Sequence, residues 1–225
     1  MVSITLPLLY TAITIISSIN LLQNNFDILI NSFIDNKVGI NDTFLSKLLS
    51  IQLKDNLTAL YANKELKVAG TGNNVIVEKN KLFRSDMIYW LDRSHDNLIE
   101  NSFLDIIDAF IIHLNESCYT GITGYEFHYA LYEKGSFYKR HLDQFKNNDS
   151  RKYTMIMYLN DEWVENDGGE LCIFHKDHEQ QISPMGGKMI FFKSNELEHE
   201  VQVTNKPRMS ITGWLKTEET IWWFL

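Results

Sequence analysis

The residues best suited to chemistry are His141 and Asp143, two positions apart in SFYKRHLDQF, together with His199 at the head of HEVQV. Side chains at i and i+2 of an extended chain point to the same face, so the imidazole and the carboxylate converge. Two imidazoles and one carboxylate on one side of a divalent iron leave three coordination positions for a cosubstrate and dioxygen. Cysteine is scarce, with only Cys118 and Cys172, which argues against a closed thiolate zinc site.

Arg208 follows His199 by nine residues, in PRMSITGW. Arg208, Ser210, Thr212 and Trp214 alternate and are expected to share an interior face. A guanidinium inside a β-structure needs an anionic partner, and that strand supplies no acid. A ligand carboxylate fits its two-point geometry, with Ser210 as a further donor. A 2-oxo acid chelating Fe(II), with its far carboxylate on Arg208, would combine with O2 to hydroxylate an unactivated C–H. The metal and cosubstrate carry the hard step, so no catalytic side chain is needed beyond the metal site. Tyr129, Phe137, Phe191, Phe192 and Trp214 are available to wall the pocket.

The elements that position these residues are short. After Gly124 come YEFHYALY, SFYKRHLDQF, KYTMIMYL, GELCIFH, KMIFFK, HEVQV and MSITGWL, separated by turn-like clusters. Seven or eight such strands predict a jelly roll. Residues 20–66 read as mostly helical, with Phe44, Leu45, Leu48, Leu49 and Ile51 at helical spacing and Asp42 or Thr43 as the cap. GTGNN (70–74) reads as a turn, and Leu98–Leu114 as a third helix. The expected class is α+β: a double-stranded β-helix (jelly roll) with N-terminal helices packed against it. Without repeats or a Pro/Gly linker, residues 21–225 read as one domain, with helical support over 21–120 and the core over 121–216. Residues 1–20 read as an apolar, uncharged leader or extra helix. No Lys or Arg precedes their apolar run, as a signal peptide requires, and Thr, Ser and Asn dilute it below a membrane span.

The chain has 225 residues, with 21 basic and 29 acidic side chains and a net charge of −8. That balance argues against coating nucleic acid. Its 44% hydrophobic fraction excludes a disordered chain. Two separated cysteines fit a reducing compartment, so a cytoplasmic location is expected, with no membrane partner.

HxD, 55 intervening residues, His-Glu-Val and then Arg208 together resemble Fe(II)/2-oxoglutarate dioxygenases of the prolyl 4-hydroxylase type, similar to the hypoxia-inducible-factor prolyl hydroxylases and their bacterial relatives. The segments RSDMIYWLDRS, ALYEKGSFYKRHLD, YLNDEW, GGELCIF, SPMGGKMIFF and RMSITGWL match that family in order, over roughly residues 66–216. The resemblance implies that His141, Asp143 and His199 bind Fe(2+). It implies further that Arg208, Tyr132 and Ser210 bind 2-oxoglutarate, that O2 is the other cosubstrate, and that L-ascorbate acts as reductant. It places Arg84 and Asp86 in a mobile loop closing over a protein or peptide substrate, with Trp214 as pocket wall. The implied reaction is hydroxylation of a prolyl residue with release of succinate and CO2. The resemblance also puts a second pocket tyrosine just before YLN, where this chain has Met157, so the pocket is expected to lack one hydroxyl.

Rival readings remain at this stage. A nucleic-acid demethylase or a hydroxylase of another residue could use the same core. Demethylases commonly carry a second Arg six residues after the first, where this chain has Trp214, although Lys139, Arg140, Lys146, Arg151 and Lys152 form a local basic strip. A non-catalytic jelly-roll module is the third. His175 and His178 read as a solvated loop, His128 as structural, and the C-terminal IWWFL as a cover for the core. Oligomeric state is not legible.

Overall fold

The structure, a computed structural model, describes residues 20–70, 82–144 and 148–217 in full and residues 6–19 as backbone. Three helices support two antiparallel sheets: α1 (Leu6–Asn36), α2 (Lys47–Ala62) and α3 (Leu98–Cys118). The larger sheet has the order β1 (Val38–Asn41), β9 (Met189–Lys193), β6 (Arg151–Tyr158), β11 (Arg208–Lys216), β4 (Gly124–Tyr132), β3 (Met87–Trp90), β2 (Lys67–Val68). The smaller has the order β5 (Tyr138–His141), β10 (Glu198–Val201), β7 (Leu171–Phe174), β8 (Glu179–Ile182). Eight strands follow Gly124, and the two sheets form the expected jelly roll.

Period-two alternation divides the larger sheet into two faces. Phe127, Tyr129 and Leu131 of β4, Met155 and Met157 of β6, Phe191 of β9 and Ile211 and Leu215 of β11 pack against the helices. The helices contribute Phe26 and Leu29 of α1, Leu49, Leu53 and Leu57 of α2, and Phe103, Ile107 and Phe110 of α3. The alternate residues Ala130, Tyr132, Ile156, Tyr158, Ile190 and Phe192 face Leu171, Ile173 and Val201 of the smaller sheet. Only this second face can hold an intersheet site.

Several local expectations are corrected. The region read as helical contains β1, and β2 and β3 also precede Gly124, so the helical support is interrupted by strands. These segments have two to four residues and exist because neighbouring strands offer them backbone partners, β9 to β1, β4 to β3 and β3 in turn to β2. The cap of α2 is Ser46, whose hydroxyl accepts from the Leu49 N–H, rather than Asp42 or Thr43. Phe44 and Leu45 are buried ahead of the helix, while Leu48 and Ile51 are exposed. The third helix extends to Cys118, capped by Asn97 at its start. Helix α1 runs through position 20 without a break. No helix among the described residues is long and apolar enough to cross a membrane. Most of GTGNN, all of IWWFL, and Lys146 lie outside the described residues.

The corrected register of α2 carries a prediction. Leu53 is completely buried whereas Leu48 is 66% exposed. Leu53→Ala should lower the unfolding free energy by about 3 kcal/mol, combining lost transfer energy and a residual cavity, while Leu48→Ala should change it by under ~0.5 kcal/mol. Urea denaturation of both variants checks this, and equal effects would refute the assigned face.

Candidate active site

His141 closes β5 and pairs in register with His199 of β10, which places the two imidazoles side by side at 4.3 Å between ring centroids. Asp143 lies two residues past His141 in the turn leaving β5. One oxygen stands 3.5 Å from His141 Nε2 and the other 3.4 Å from His199 Nε2. One ligand atom from each of the three residues lies within 4.8 Å of the others, the one such group among the described residues.

The backbone also selects the imidazole tautomers. His141 Nδ1 lies 2.7 Å from the Lys139 carbonyl oxygen, and His199 Nδ1 lies 3.2 Å from that of Leu197. An Nδ1–H donating to each carbonyl leaves both Nε2 lone pairs directed at the shared centre, the arrangement that metal-binding histidines use. Burial lowers the His199 pKa to about 4, so this imidazole is neutral at pH 7. Burial alone would raise the Asp143 carboxyl, but the two imidazoles and the Thr154 hydroxyl outweigh it and hold the group below the usual carboxylate range.

A surrounding layer fixes these ligands. Thr154 Oγ1 donates to Asp143 Oδ2 at 2.7 Å and sits 2.9 Å from Ser194 Oγ. Tyr138 stacks on His141 at 3.6 Å, and Phe192 meets His199 edge-on at 5.0 Å. Thr154 is fully buried, so Thr154→Val keeps the shape and deletes the donor. Metal affinity should fall about 10- to 100-fold, as for other partners that orient a ligand. Calorimetric titration with Mn(II) measures this, and an unchanged affinity would show that Asp143 needs no such support.

The cavity over this centre has a volume of about 530 Å³, and its lining includes Tyr132, Tyr138, His141, Asp143, His199 and Arg208. Arg208 is 1% exposed. Its Nε donates to the Gly169 carbonyl oxygen at 2.8 Å, while one terminal nitrogen has no hydrogen-bond partner. No carboxylate among the described residues reaches it, as the sequence led us to expect for its own strand. Gly169 has φ +70°, and a Cβ there would lie 3.0 Å from Thr204 and 3.1 Å from Arg208 Cδ, so glycine is required beside this side chain. The Tyr132 and Tyr158 rings flank the guanidinium, each centroid 5.0 Å away, and the buried Tyr158 hydroxyl also lacks a partner. Ser210 shares the face, with Oγ 3.5 Å from Thr212 Oγ1, but Thr212 rather than Ser210 lines the cavity.

The expectation built on Met157 fails. Residue 157 points to the helices and residue 158 points inward, so a tyrosine hydroxyl does stand at the Arg208 end. A one-residue shift in reading a strand exchanges its faces. The same parity places Tyr129 and Phe191 on the helical side, where the Tyr129 hydroxyl accepts from Asn56, and Phe137 does not line the cavity. Of the five proposed wall residues, Trp214 lines the cavity and Phe192 backs His199. Thr154 and Tyr158 escaped notice although both alternate with Ile156 in KYTMIMYL. That alternation was the available signal.

Arg84 and Asp86 form a two-point pair, with Nε–Oδ1 at 2.8 Å and a terminal nitrogen to Oδ2 at 2.6 Å. Asp86 is fully buried, and the Arg84 guanidinium lies 4.2 Å from the Tyr138 ring centroid, so the pair belongs to the cavity wall and not to an exposed surface. Three members of the basic strip are paired with acids: Arg140 bonds to Glu198, Arg151 to Glu126 and Lys152 to Asp149. His175 and His178 stack on one another in the turn between β7 and β8, bonded to Gln180 and Asp177.

His128 is 3% exposed and packs in one cluster with Trp90 and Trp214. Burial lowers its pKa to about 3. Since the unfolded side chain titrates near 6.5, the unfolded state binds the extra proton between those values, so stability is complete above pH 6.5 and lost as pH falls toward 3. At pH 5 the loss from His128 should be on the order of 2 kcal/mol. His128→Leu should therefore lose less stability than the wild type between pH 7.5 and 5 in urea titrations. Equal losses would mean that the imidazole charges without unfolding the protein.

The sequence model of the 2OG-Fe(II) oxygenase superfamily matches residues 127–216. Human Egl nine homolog 1 is 31% identical over 204 residues, covering 80% of this chain and 44% of that protein. The chain thus spans less than half the length of this curated relative. A crystal structure of a Pseudomonas putida prolyl-4-hydroxylase superposes with a TM-score of 0.77 at 29% identity, covering 86% of this chain and 99% of the other. A Trichoplax adhaerens prolyl hydroxylase in complex with a hypoxia-inducible-factor peptide fragment also gives 0.77, at 25% identity and 87% and 91% coverage. The chain carries a 2OG-Fe(II) oxygenase domain over residues 127–216 and is similar to prolyl hydroxylases of animals and bacteria.

Proposed function

We propose that this protein hydroxylates a prolyl residue of a protein or peptide, using Fe(II), 2-oxoglutarate and O2. The observation that carries the reading is one cavity holding both the His141–Asp143–His199 cluster and the unpaired guanidinium of Arg208. The donor set fits Fe(II), since two imidazoles and one carboxylate would hold the metal in exchangeable form and leave positions for other ligands. The buried, unsatisfied nitrogen of Arg208 and the hydroxyl of Tyr158 fit a carboxylate at the deep end. Bound iron with 2-oxoglutarate and O2 supplies the oxidation of an unactivated C–H, releasing succinate and CO2.

The chain's own contribution is binding, orientation and exclusion of water. His141, Asp143 and His199 hold the metal, with Thr154 and the carbonyls of Lys139 and Leu197 locking their directions. Arg208, assisted by Tyr158 and Tyr132, anchors the far carboxylate. Arg84 and Trp214 face the remaining space and are the residues placed to meet a substrate, with Asp86 orienting Arg84. A cytoplasmic location belongs to this reading.

The test is succinate release from 2-oxoglutarate by the Fe(II)-loaded protein, with mass spectrometry of proline-containing peptides and of host proteins. A gain of one oxygen on proline, absent in His199→Ala, is the expected result. Succinate release with oxygen incorporated at another residue or on nucleic acid would replace the substrate while keeping the chemistry. Failure of the metal-loaded protein to bind 2-oxoglutarate would leave a non-catalytic module.

A further inference from the structure

Two buried polar atoms in the cavity have no partner and no place in the cosubstrate site: His128 Nδ1 and Trp214 Nε1. Both residues line the cavity and are at least nine-tenths buried, at 3% and 6% exposure. They sit on neighbouring strands, β4 and β11, with ring centroids 5.5 Å apart, and Trp90 packs against both, 4.9 Å from His128 and 6.4 Å from Trp214. Arg151 covers the Trp214 ring at 3.4 Å while bonded to Glu126, which also pairs with Lys216. Arg208 belongs to the opposite end of β11, six residues and three inward-facing positions away.

An orphaned buried donor or acceptor costs roughly 1–3 kcal/mol, so two beside one cavity imply a ligand able to satisfy both. Their chemistry is complementary. An indole Nε1–H can only donate, whereas a neutral imidazole nitrogen without a proton accepts. A main-chain amide carries one acceptor and one donor in fixed relation. An aliphatic or phosphate ligand cannot satisfy the pair in this way.

We propose that His128 and Trp214 form a two-point clamp for the backbone of a peptide substrate, in which Trp214 Nε1–H donates to a peptide carbonyl oxygen and His128 Nδ1 accepts from a peptide N–H. The inference rests on the reading of the protein as a peptide hydroxylase and names how the peptide is held. Proline has no N–H, so the donor to His128 belongs to a residue beside the reacting proline. The clamp therefore reads main-chain geometry next to the proline, and His128 has a binding role in place of the structural one expected from sequence.

The test uses the Zn(II)-loaded protein, whose metal is diamagnetic, with 2-oxoglutarate and a capped alanine pentapeptide with a central proline. Analogues replace the N–H of the residue on either side of the proline by an ester oxygen. Affinity is followed through the indole N–H signals in NMR titrations. The wild type should bind one ester analogue about tenfold more weakly than the amide, equivalent to ~1.4 kcal/mol, and the Trp214 signal should move downfield with the amide peptide. His128→Leu should bind all the peptides alike, at the weaker level. His128→Asn, whose side-chain oxygen lies near the Nδ1 position, should recover the preference for the amide. Equal affinity of amide and esters for the wild type overturns the clamp, because the two atoms are then satisfied by water. So does persistent discrimination in His128→Leu, or an absence of peptide binding at millimolar concentration while 2-oxoglutarate still binds. Succinate release measured on the same variants loaded with Fe(II) separates the two ideas. Turnover without discrimination removes the clamp and leaves the hydroxylase, and discrimination without turnover does the reverse.

Discussion

Replacing His141, Asp143 or His199 by alanine is expected to reduce succinate release at least about a thousandfold, a loss of ~4 kcal/mol, without unfolding the protein. Each residue supplies one of three ligand atoms in a site where the backbone has already selected the tautomers. Removing one leaves two ligands, too few to hold an exchangeable divalent ion against water. The fold should survive, because the cluster lies between sheets held together by Leu171, Ile173, Ile190 and Val201 and not by the cluster itself. Mn(II) titration and circular dichroism of each variant, run beside the activity assay, check both halves. A His199→Ala protein that still binds Mn(II) like the wild type would mean that the metal is held elsewhere.

Arg208 produces the second large effect, and its sign differs between ligand-free and ligand-bound protein. In the ligand-free protein the guanidinium is 1% exposed, with one nitrogen unbonded and no carboxylate in reach among the described residues. A buried charge without a counter-ion is unfavourable, and apolar replacement of buried charges can stabilise by about 1–4 kcal/mol. Arg208→Met should therefore unfold at higher urea concentration than the wild type when no ligand is present. The same change removes a charge-assisted, two-point contact, so the KM for 2-oxoglutarate should rise about 100-fold or more, ~3 kcal/mol. Arg208→Lys should recover only part of that loss, because an ammonium cannot reproduce the planar fork. A destabilised ligand-free Arg208→Met with an unchanged KM would make Arg208 a structural residue and remove the cosubstrate anchor.

Both predictions start from residues readable along the chain. HxD, the later His and the Arg nine positions beyond it were legible because alternation in a strand is a local rule. Seven of the eight strands from Gly124 onward were legible for the same reason, all but β8 (Glu179–Ile182), and the α3 helix through its apolar stripe. The α2 cap was misplaced because Phe44 and Leu45, buried ahead of the helix, mimic its first turn. Strands β1, β2 and β3 were not legible, being too short to carry a pattern of their own.

The order of residues by itself determined which side chains share a face: Arg208 with Ser210, Thr212 and Trp214, and Tyr158 with Ile156 and Thr154. It could not determine which of the two faces meets the helices and which meets the second sheet. Only the packed structure decided that, turning Met157, Tyr129 and Phe191 toward the helices and Tyr158, His128 and Phe192 toward the cavity side of the sheet. The reason is physical: periodicity is written by neighbours along the chain, whereas a face acquires its role from whatever distant segment covers it. The one unsatisfied atom in each of His128, Trp214 and Arg208 is of the second kind, since a missing partner is a property of the whole surrounding fold.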